Sequence, residues 1–198
     1  MTKIIGITGG IGSGKTTLSE HLKKLGFPVH ESDKVVSKMY KKPTKDFIRF
    51  IKNHGLKDVV KKNKINKEVV ALKIFNDKNL KRIFEKYIHN EVRLQRKDFI
   101  KKNIKSKKKT IFLDVPLLLE KKLEKQFDAV VCVLSTRAKR KERVLKKKKF
   151  SKKILIKIFK NQTTDKQRRA RSNIIINNNK TKKDFICSAQ KALIAFLK

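Results

Sequence analysis

The sequence has no tryptophan, two tyrosines, two cysteines, and only 17 acidic residues against 55 lysines and arginines. No apolar run approaches the ~20 residues of a bilayer-spanning helix, so no such helix is expected. Cys132 and Cys187 are far apart and lack metal-ligand spacing. Cys132 sits inside a Val/Leu run and reads as a buried thiol in a reducing compartment. The first apolar stretch leads straight into a glycine-rich loop, which is not the pattern of a secretory signal. A soluble cytoplasmic protein is expected. There is no Pro/Gly/Ser linker and no internal repeat, so the 198 residues are expected to fold as one unit with a real core.

The formal charge is +38. Charge of that size suggests nucleic acid or an anionic membrane as partner. The excess is mostly lysine, spread from Lys3 to Lys198 without one basic block, and aromatic side chains are not interleaved as stacking platforms. Asparagine, isoleucine and phenylalanine accompany it, all residues of A/T-rich codons. Mutational drift at tolerant surface positions is the favoured reading over a selected nucleic-acid surface. Non-specific polyanion binding at low salt is still expected.

What the sequence does have is Ile4-Ile5-Gly6-Ile7-Thr8 followed by Gly9-Gly10-Ile11-Gly12-Ser13-Gly14-Lys15-Thr16-Thr17. From Gly9 to Thr16 this fits G-x-x-x-x-G-K-[ST], a phosphate-binding loop between a strand and a helix. Backbone N–H groups must curl around phosphate oxygens, and Gly9, Gly10, Gly12 and Gly14 remove the Cβ atoms that would obstruct them. The helix N-terminus adds unpaired donors and a positive dipole end. Lys15 supplies a mobile charge for the β- and γ-phosphates, and the Thr16 hydroxyl is placed to ligate Mg²⁺.

Leu18, Leu22 and Leu25 then repeat at helical spacing, and Gly26 closes the helix. Pro28 and Val29 begin a second strand running to His30-Glu31-Ser32-Asp33, which completes a βαβ unit with Asp33 at the strand's C-terminal end. Two readings of Asp33 stand: a carboxylate that accepts a hydroxyl proton or helps hold Mg²⁺, or the N-cap of a helix containing Val35-Val36. Residues 40–109 contain no convincing strand. Three-four spacing of Val69, Val70 and Ile74, then of Leu80, Ile83, Phe84, Tyr87, Ile88 and Val92, predicts a helical insertion broken at Asn76-Asp77. His89 and Arg93 stand four apart, facing an anionic ligand or solvent.

Thr110 to Val115 predicts a buried parallel strand, with Asp114 contacting Mg²⁺ through water or serving as a structural hydrogen-bonding group. Pro116-Leu117-Leu118-Leu119-Glu120 is an apolar turn expected to pack on the inserted helices or a substrate. Ala129–Leu134 is a fourth strand. Two helices follow: one rich in Arg137, Arg140, Arg143 and Lys146 to Lys149, and one capped by Ser151 with Ile154, Leu155, Ile158 and Phe159 on one face. They are either a lid whose arginines meet a transferring phosphoryl group or ordinary solvated basic helices. Asn173–Asn177 is a last strand, and Phe185, Ile186, Ala189, Leu193, Phe196 and Leu197 mark a closing amphipathic helix.

The assembled pattern resembles the dephospho-CoA kinase family nearly end to end. The resemblance rests on Thr8 to Thr17, Leu25-Gly26, Glu31-Ser32-Asp33, Lys73-Ile74-Phe75, His89, Asp114 to Glu120, Gln162 and Ile176-Asn177-Asn178. It implies an α/β fold: a P-loop NTPase core, similar to nucleoside monophosphate kinases, with a parallel sheet flanked by helices. The core is expected over about 1–39, 110–136 and 166–198, a helical substrate-binding insertion over about 40–109, and a helical lid over about 137–165. It implies ATP-dependent phosphorylation of the ribose 3′-hydroxyl of dephospho-CoA. By position, Gly9 and Gly12 to Thr17 bind the ATP phosphates, Thr16 binds Mg²⁺, Asp33 is the general base, and Arg143 is a lid arginine on the phosphates. Asp33, His89 and Leu117 are the implied dephospho-CoA contacts. The expected protein is a monomer with no specific nucleic acid or membrane partner.

Four positions depart from the family pattern. Glu31 replaces the first acid of Asp-x-Asp, and Asn90 follows His89 in place of proline. Lys147 replaces a second lid arginine and cannot grip phosphate bidentately. Asn179-Lys180 stands where glycine is expected after Asn178, a turn that asparagine in a left-handed conformation would preserve. Two rival readings remain at this point, another small-metabolite or nucleotide kinase and a nucleotide-gated RNA-binding protein.

Overall fold

The computed structural model describes residues 1–61, 64–147 and 151–197, and in it the strand segments foreseen from the sequence form one parallel sheet. The strands are β1 (Lys3–Thr8), β2 (Val29–Glu31), β5 (Thr110–Asp114), β6 (Ala129–Leu134) and β7 (Ile174–Asn177), in the order β2-β5-β1-β6-β7. Two short strands, β3 (Val60–Lys61) and β4 (Lys64–Ile65), pair antiparallel on their own. The helices are α1 (Lys15–Lys24), α2 (Ser32–Lys41), α3 (Lys45–Asn53), α4 (Lys67–Asn76), α5 (Lys78–Lys105), α6 (Arg137–Lys146), α7 (Lys152–Lys160), α8 (Asp165–Ala170) and α9 (Lys182–Leu197).

Contacts divide the chain into two units, Met1–Glu31 with Asn103–Lys198 and, separately, Ser32–Lys102. The first unit holds the sheet. Ile5 lies beside Phe112 on one flank and Ala129 on the other, while Phe112 lies beside Val29. Ile5, Ile7, Phe112, Val131 and Val133 pack on Leu18 and Leu22 of α1 and on Phe185, Ala189 and Leu193 of α9. Phe27 meets Phe112 edge-on, with ring centroids 5.3 Å apart. β6 is buried along its whole length and β5 over four of its five residues, as expected for parallel strands covered on both faces.

β1 is the central strand. The chain leaves it through α1 toward β2 on one side, whereas β6 on its other side leads onward to β7. Such a reversal opens a crevice at the C-terminal ends of β1 and β6, where ligands of open α/β sheets bind. The glycine-rich loop fills that position.

The second unit has its own core of Tyr40, Phe47, Ile51, Leu56, Val70 and Phe84. Phe50 stacks on Tyr87 at 4.0 Å, and Tyr40 meets Phe47 edge-on at 5.4 Å. The break at Asn76-Asp77 is present. The Asp77 carboxylate accepts the N–H groups of Asn79 and Leu80, satisfying donors at the start of α5.

Several expectations need correction. β2 ends at Glu31, so Ser32 and Asp33 belong to α2 instead of the strand. The β3–β4 pair lies inside the segment expected to lack strands; each strand is two residues long, too short for alternation to register. Leu25 is exposed as the residue capping α1, although Leu18 and Leu22 are fully buried. A third helix, α8, follows α7 and carries a Thr164/Gln167 capping box. Ile154 is exposed on α7 while Leu155 is buried. Lys148 and Lys149, read as part of the basic helix, fall outside the described residues.

Phe112→Ala should remove a fully buried ring from the centre of the sheet. The expected loss is about 3–5 kcal/mol, measured as a lower urea midpoint at unchanged slope.

Candidate active site

The loop after β1 is shaped by backbone angles that side chains resist. Gly9 has φ of 145° and Gly14, the N-cap of α1, has φ of 112°. A Cβ at Gly9 would overlap the Val133 carbonyl oxygen, which sets the loop directly against the end of β6. The Gly14 cap contributes no side-chain acceptor and the first turn of α1 has no acidic residue, leaving its N–H groups for an anion.

The loop's carbonyls are engaged one by one. Lys15 Nζ donates to the Gly9 oxygen at 2.9 Å, and Ser13 N–H donates to the Gly10 oxygen at 3.1 Å. Arg143 Nη1 reaches the Gly12 oxygen at 3.5 Å, and Asn178 Nδ2 donates to the Ser13 oxygen at 2.7 Å. From α7's far end, Gln162 Oε1 accepts the Ile11 N–H at 3.2 Å.

Two observations fit a bound triphosphate. Ser13 Oγ is buried beside Gly9 and has no hydrogen-bond partner among the described residues, an orphan that costs about 1–3 kcal/mol until an acceptor or donor meets it. Lys15 is half-buried at the loop and Thr16 is exposed at the helix start, so both side chains are accessible to a ligand. For Mg²⁺ the protein needs little, because the ion takes one or two protein oxygens and completes its shell with phosphate and water. The Thr16 hydroxyl fits that demand.

Behind the loop lies an ionic chain that the sequence did not reveal. Glu120, the acid of Pro-Leu-Leu-Leu-Glu, accepts the Thr163 N–H at 2.9 Å and pairs with Arg168 at 3.4 Å. Arg168 pairs with Asp165 at 2.8 Å, and Asp165 pairs with Arg140 at 3.5 Å. Arg140 and Arg168 are both buried. Arg140 lies against Gly10, and its guanidinium stands over the Phe159 ring at 5.2–5.4 Å together with Arg137. Burial works to raise the Glu120 pKa, but the Thr163 N–H and the Arg168 charge hold it below the ordinary value. Burial, helped by the nearby Arg168 and Arg137 charges, lowers the Arg140 pKa, with Asp165 opposing the shift. Burial also pushes the Cys132 thiol up to about 11, which keeps it an inert core residue.

The structure brings Gly9, Gly12, Ser13, Gly14, Lys15, Thr16, Thr17 and Arg143 together within the first unit. Arg143 also reaches Ser135 Oγ and Asn178. Leu117 lies in the turn after β5, at the same sheet edge as the loop, half-exposed and with φ of 58°. A left-handed leucine is rare, and such strain gathers at functional sites. Its neighbours Leu118 and Leu119 are buried, so only part of that apolar turn is withdrawn from water.

Asp33 and His89 belong to the second unit. Asp33 is exposed in the first turn of α2, one residue inside the helix, so it does not occupy the capping position. His89 is exposed on α5 in a groove shared with Arg82, Lys86, Asn90 and Arg93, which puts His89 and Arg93 on one face. Glu31 is buried and pairs with Lys23 of α1. Lys147 is the exposed C-cap of α6. The turn after Asn178 has no left-handed residue among the described ones; Asn179 instead accepts the Thr136 N–H at 2.9 Å. Glycine is therefore not required there.

The sequence pointed to Arg140 only as a lid arginine and to Glu120 and Asn178 only as parts of a motif; Arg168 and the pairing of these side chains with one another were not foreseen, because most of the contacts join distant positions. The one available signal was buried-type spacing around charged residues, which a lysine-rich chain obscures.

A family model described as dephospho-CoA kinase matches residues 3–184. A dephospho-CoA kinase from Bartonella henselae is 35% identical over 179 residues, covering 90% of each chain. A crystal structure of TT1252 from Thermus thermophilus superposes with a TM-score of 0.77 at 25% identity, covering 100% of this chain and 98% of that one. A dephospho-CoA kinase structure from Campylobacter jejuni gives 0.73 at 22% identity, covering 99% and 98%, and supports the same fold. A match this long, through the phosphate loop and both flanking regions, means that the chain belongs to the dephospho-CoA kinase family.

Proposed function

We propose that this protein transfers the γ-phosphoryl group of ATP to the ribose 3′-hydroxyl of dephospho-CoA, giving CoA and ADP. The observation that carries the reading is an intact phosphate loop inside a family match running from residue 3 to 184. In the step, the 3′-oxygen bonds to the γ-phosphorus while the bond from that phosphorus to the β-bridging oxygen breaks. The leaving electron pair stays on ADP, and the hydroxyl proton passes to the Asp33 carboxylate.

Asp33 is suited to that role by being exposed and free of capping duty. Lys15 and Arg143 carry charge that develops on the phosphoryl oxygens. Mg²⁺, held by Thr16, would neutralise phosphate charge when bound. Residues 137–165 serve as the lid, and the helical segment within 40–109 selects the acceptor through His89, with Leu117 as a further acceptor contact. Excluding water from the reacting phosphoryl group keeps it from hydrolysis. The enzyme acts as a cytoplasmic monomer. No helix among the described residues is long and apolar enough to cross a membrane.

Three measurements check this reading. Incubation with Mg-ATP and dephospho-CoA should yield CoA by mass spectrometry, whereas folded protein giving none would refute it. Asp33→Asn should keep ATP binding and lose roughly 10²-fold or more in turnover; unchanged turnover removes Asp33 as the base. The +38 charge should bind RNA weakly at low salt and release it by physiological salt. Tight RNA binding at physiological salt without phosphoryl transfer would favour an RNA-binding protein instead.

A further inference from the structure

We infer that Asn178 is a positioning residue for the donor site: its side-chain amide sets the direction of the Gly14 N–H and holds Arg143 at the loop. The inference deepens the reading above and rests on Gly9–Thr17 being the ATP phosphate site.

Asn178 follows β7 directly and is 7% exposed. Its backbone N–H donates to the Leu134 oxygen at 2.7 Å, which fixes its main chain to the end of β6. Each end of its side-chain amide has a different partner. Nδ2 donates to the Ser13 carbonyl oxygen at 2.7 Å across 165 residues of sequence. Oδ1 accepts from Arg143 Nη2 at 3.3 Å, and the same nitrogen reaches the Asn178 backbone oxygen at 3.0 Å.

The Ser13 carbonyl and the Gly14 N–H belong to one planar trans peptide, so they point in opposite directions. Pinning the carbonyl toward Asn178 therefore turns the Gly14 N–H away from it, at the uncapped start of α1. A Cβ at position 14 would overlap Asn178 Nδ2, so this arrangement is open only to glycine. One side chain thus couples a backbone donor to a guanidinium at the same phosphate loop. A simple brace between β7 and the loop would affect folding and both substrates alike. A positioning role acts on ATP alone.

Asn178→Asp separates these roles. It preserves size and the acceptor for Arg143, but sets a carboxylate oxygen against the Ser13 carbonyl where the donor was. Affinity for a Mg-bound non-hydrolysable ATP analogue, measured by calorimetry, should fall about tenfold or more, and KM for ATP should rise with it. KM for dephospho-CoA should stay close to the parent value even if the melting temperature falls. Unchanged analogue affinity in the folded variant overturns the inference, as does an equal rise in both KM values. If Asn178→Asp does not fold, Asn178→Ser and Asn178→Ala carry the test. Serine retains a shorter donor and should bind the analogue more tightly than alanine, and equal affinities overturn the inference. Lys15→Met in the parent is the control for the site itself. If it leaves analogue binding intact, the loop is not the phosphate site, and that reading fails separately from the role of Asn178.

Discussion

A peptide unit cannot turn its N–H and its carbonyl to the same side, and the phosphate loop is built on that constraint. To aim amide protons at an anion, the loop must send its carbonyls elsewhere and give them partners. Lys15 takes the Gly9 oxygen, Ser13 N–H the Gly10 oxygen, Arg143 the Gly12 oxygen and Asn178 the Ser13 oxygen. Those partners come from the loop itself, from the helix after β6 and from the end of β7. The sheet order that places β6 and β7 on one side of β1 is thus a condition for the loop's shape. Val133 at the end of β6 closes the same crevice against Gly9.

Charge around the loop is arranged by alternation. Arg140 and Arg168 are buried guanidiniums, and Glu120 and Asp165 interleave with them. Burying paired charges gives little net stability, because desolvation offsets most of the attraction. Its effect is geometric: Glu120 also holds the Thr163 N–H, next to the Gln162 that receives Ile11 N–H. The turn after β5 is thereby tied to the segment that follows α7 and, through Gln162, to the phosphate loop. Removing one member would leave its neighbour buried and unpaired, which costs more than the pair contributes.

The parts legible in the sequence are those whose cause is local. The strand–loop–helix of residues 4–17, the apolar runs of the sheet, the Thr8 to Thr17 motif and the break at Asn76-Asp77 all follow from neighbouring residues. Ser151 caps its helix as its sequence position implies. α8 was hidden because its six residues, Asp165 to Ala170, contain no large apolar side chain to set a period. Leu117 was grouped with an apolar turn, yet its left-handed backbone keeps it half-exposed while Leu118 turns inward. The replacement of glycine at Asn179 looked like a backbone problem and is solved by a side-chain hydrogen bond to Thr136. The ionic chain behind the loop depends on contacts across tens of residues, and no local pattern announces it.

Arginine is unevenly distributed along this chain. Only ten of the 55 basic residues are arginine, and six of those ten, Arg137, Arg140, Arg143, Arg168, Arg169 and Arg171, lie between positions 137 and 171. A surface charge makes little distinction between lysine and arginine, so composition can carry such positions to lysine. A guanidinium that serves several acceptors in a fixed fork, or lies flat on a ring, has no lysine equivalent. Arg143 meets Gly12, Ser135 and Asn178 at once; Arg168 meets Glu120 and Asp165; Arg137 and Arg140 lie over Phe159. Lys147, exposed at the end of α6, has no such geometry to satisfy in this conformation. In this stretch Arg137, Arg140, Arg143 and Arg168 thus sit where a planar guanidinium is used by the protein's own backbone, carboxylates and rings.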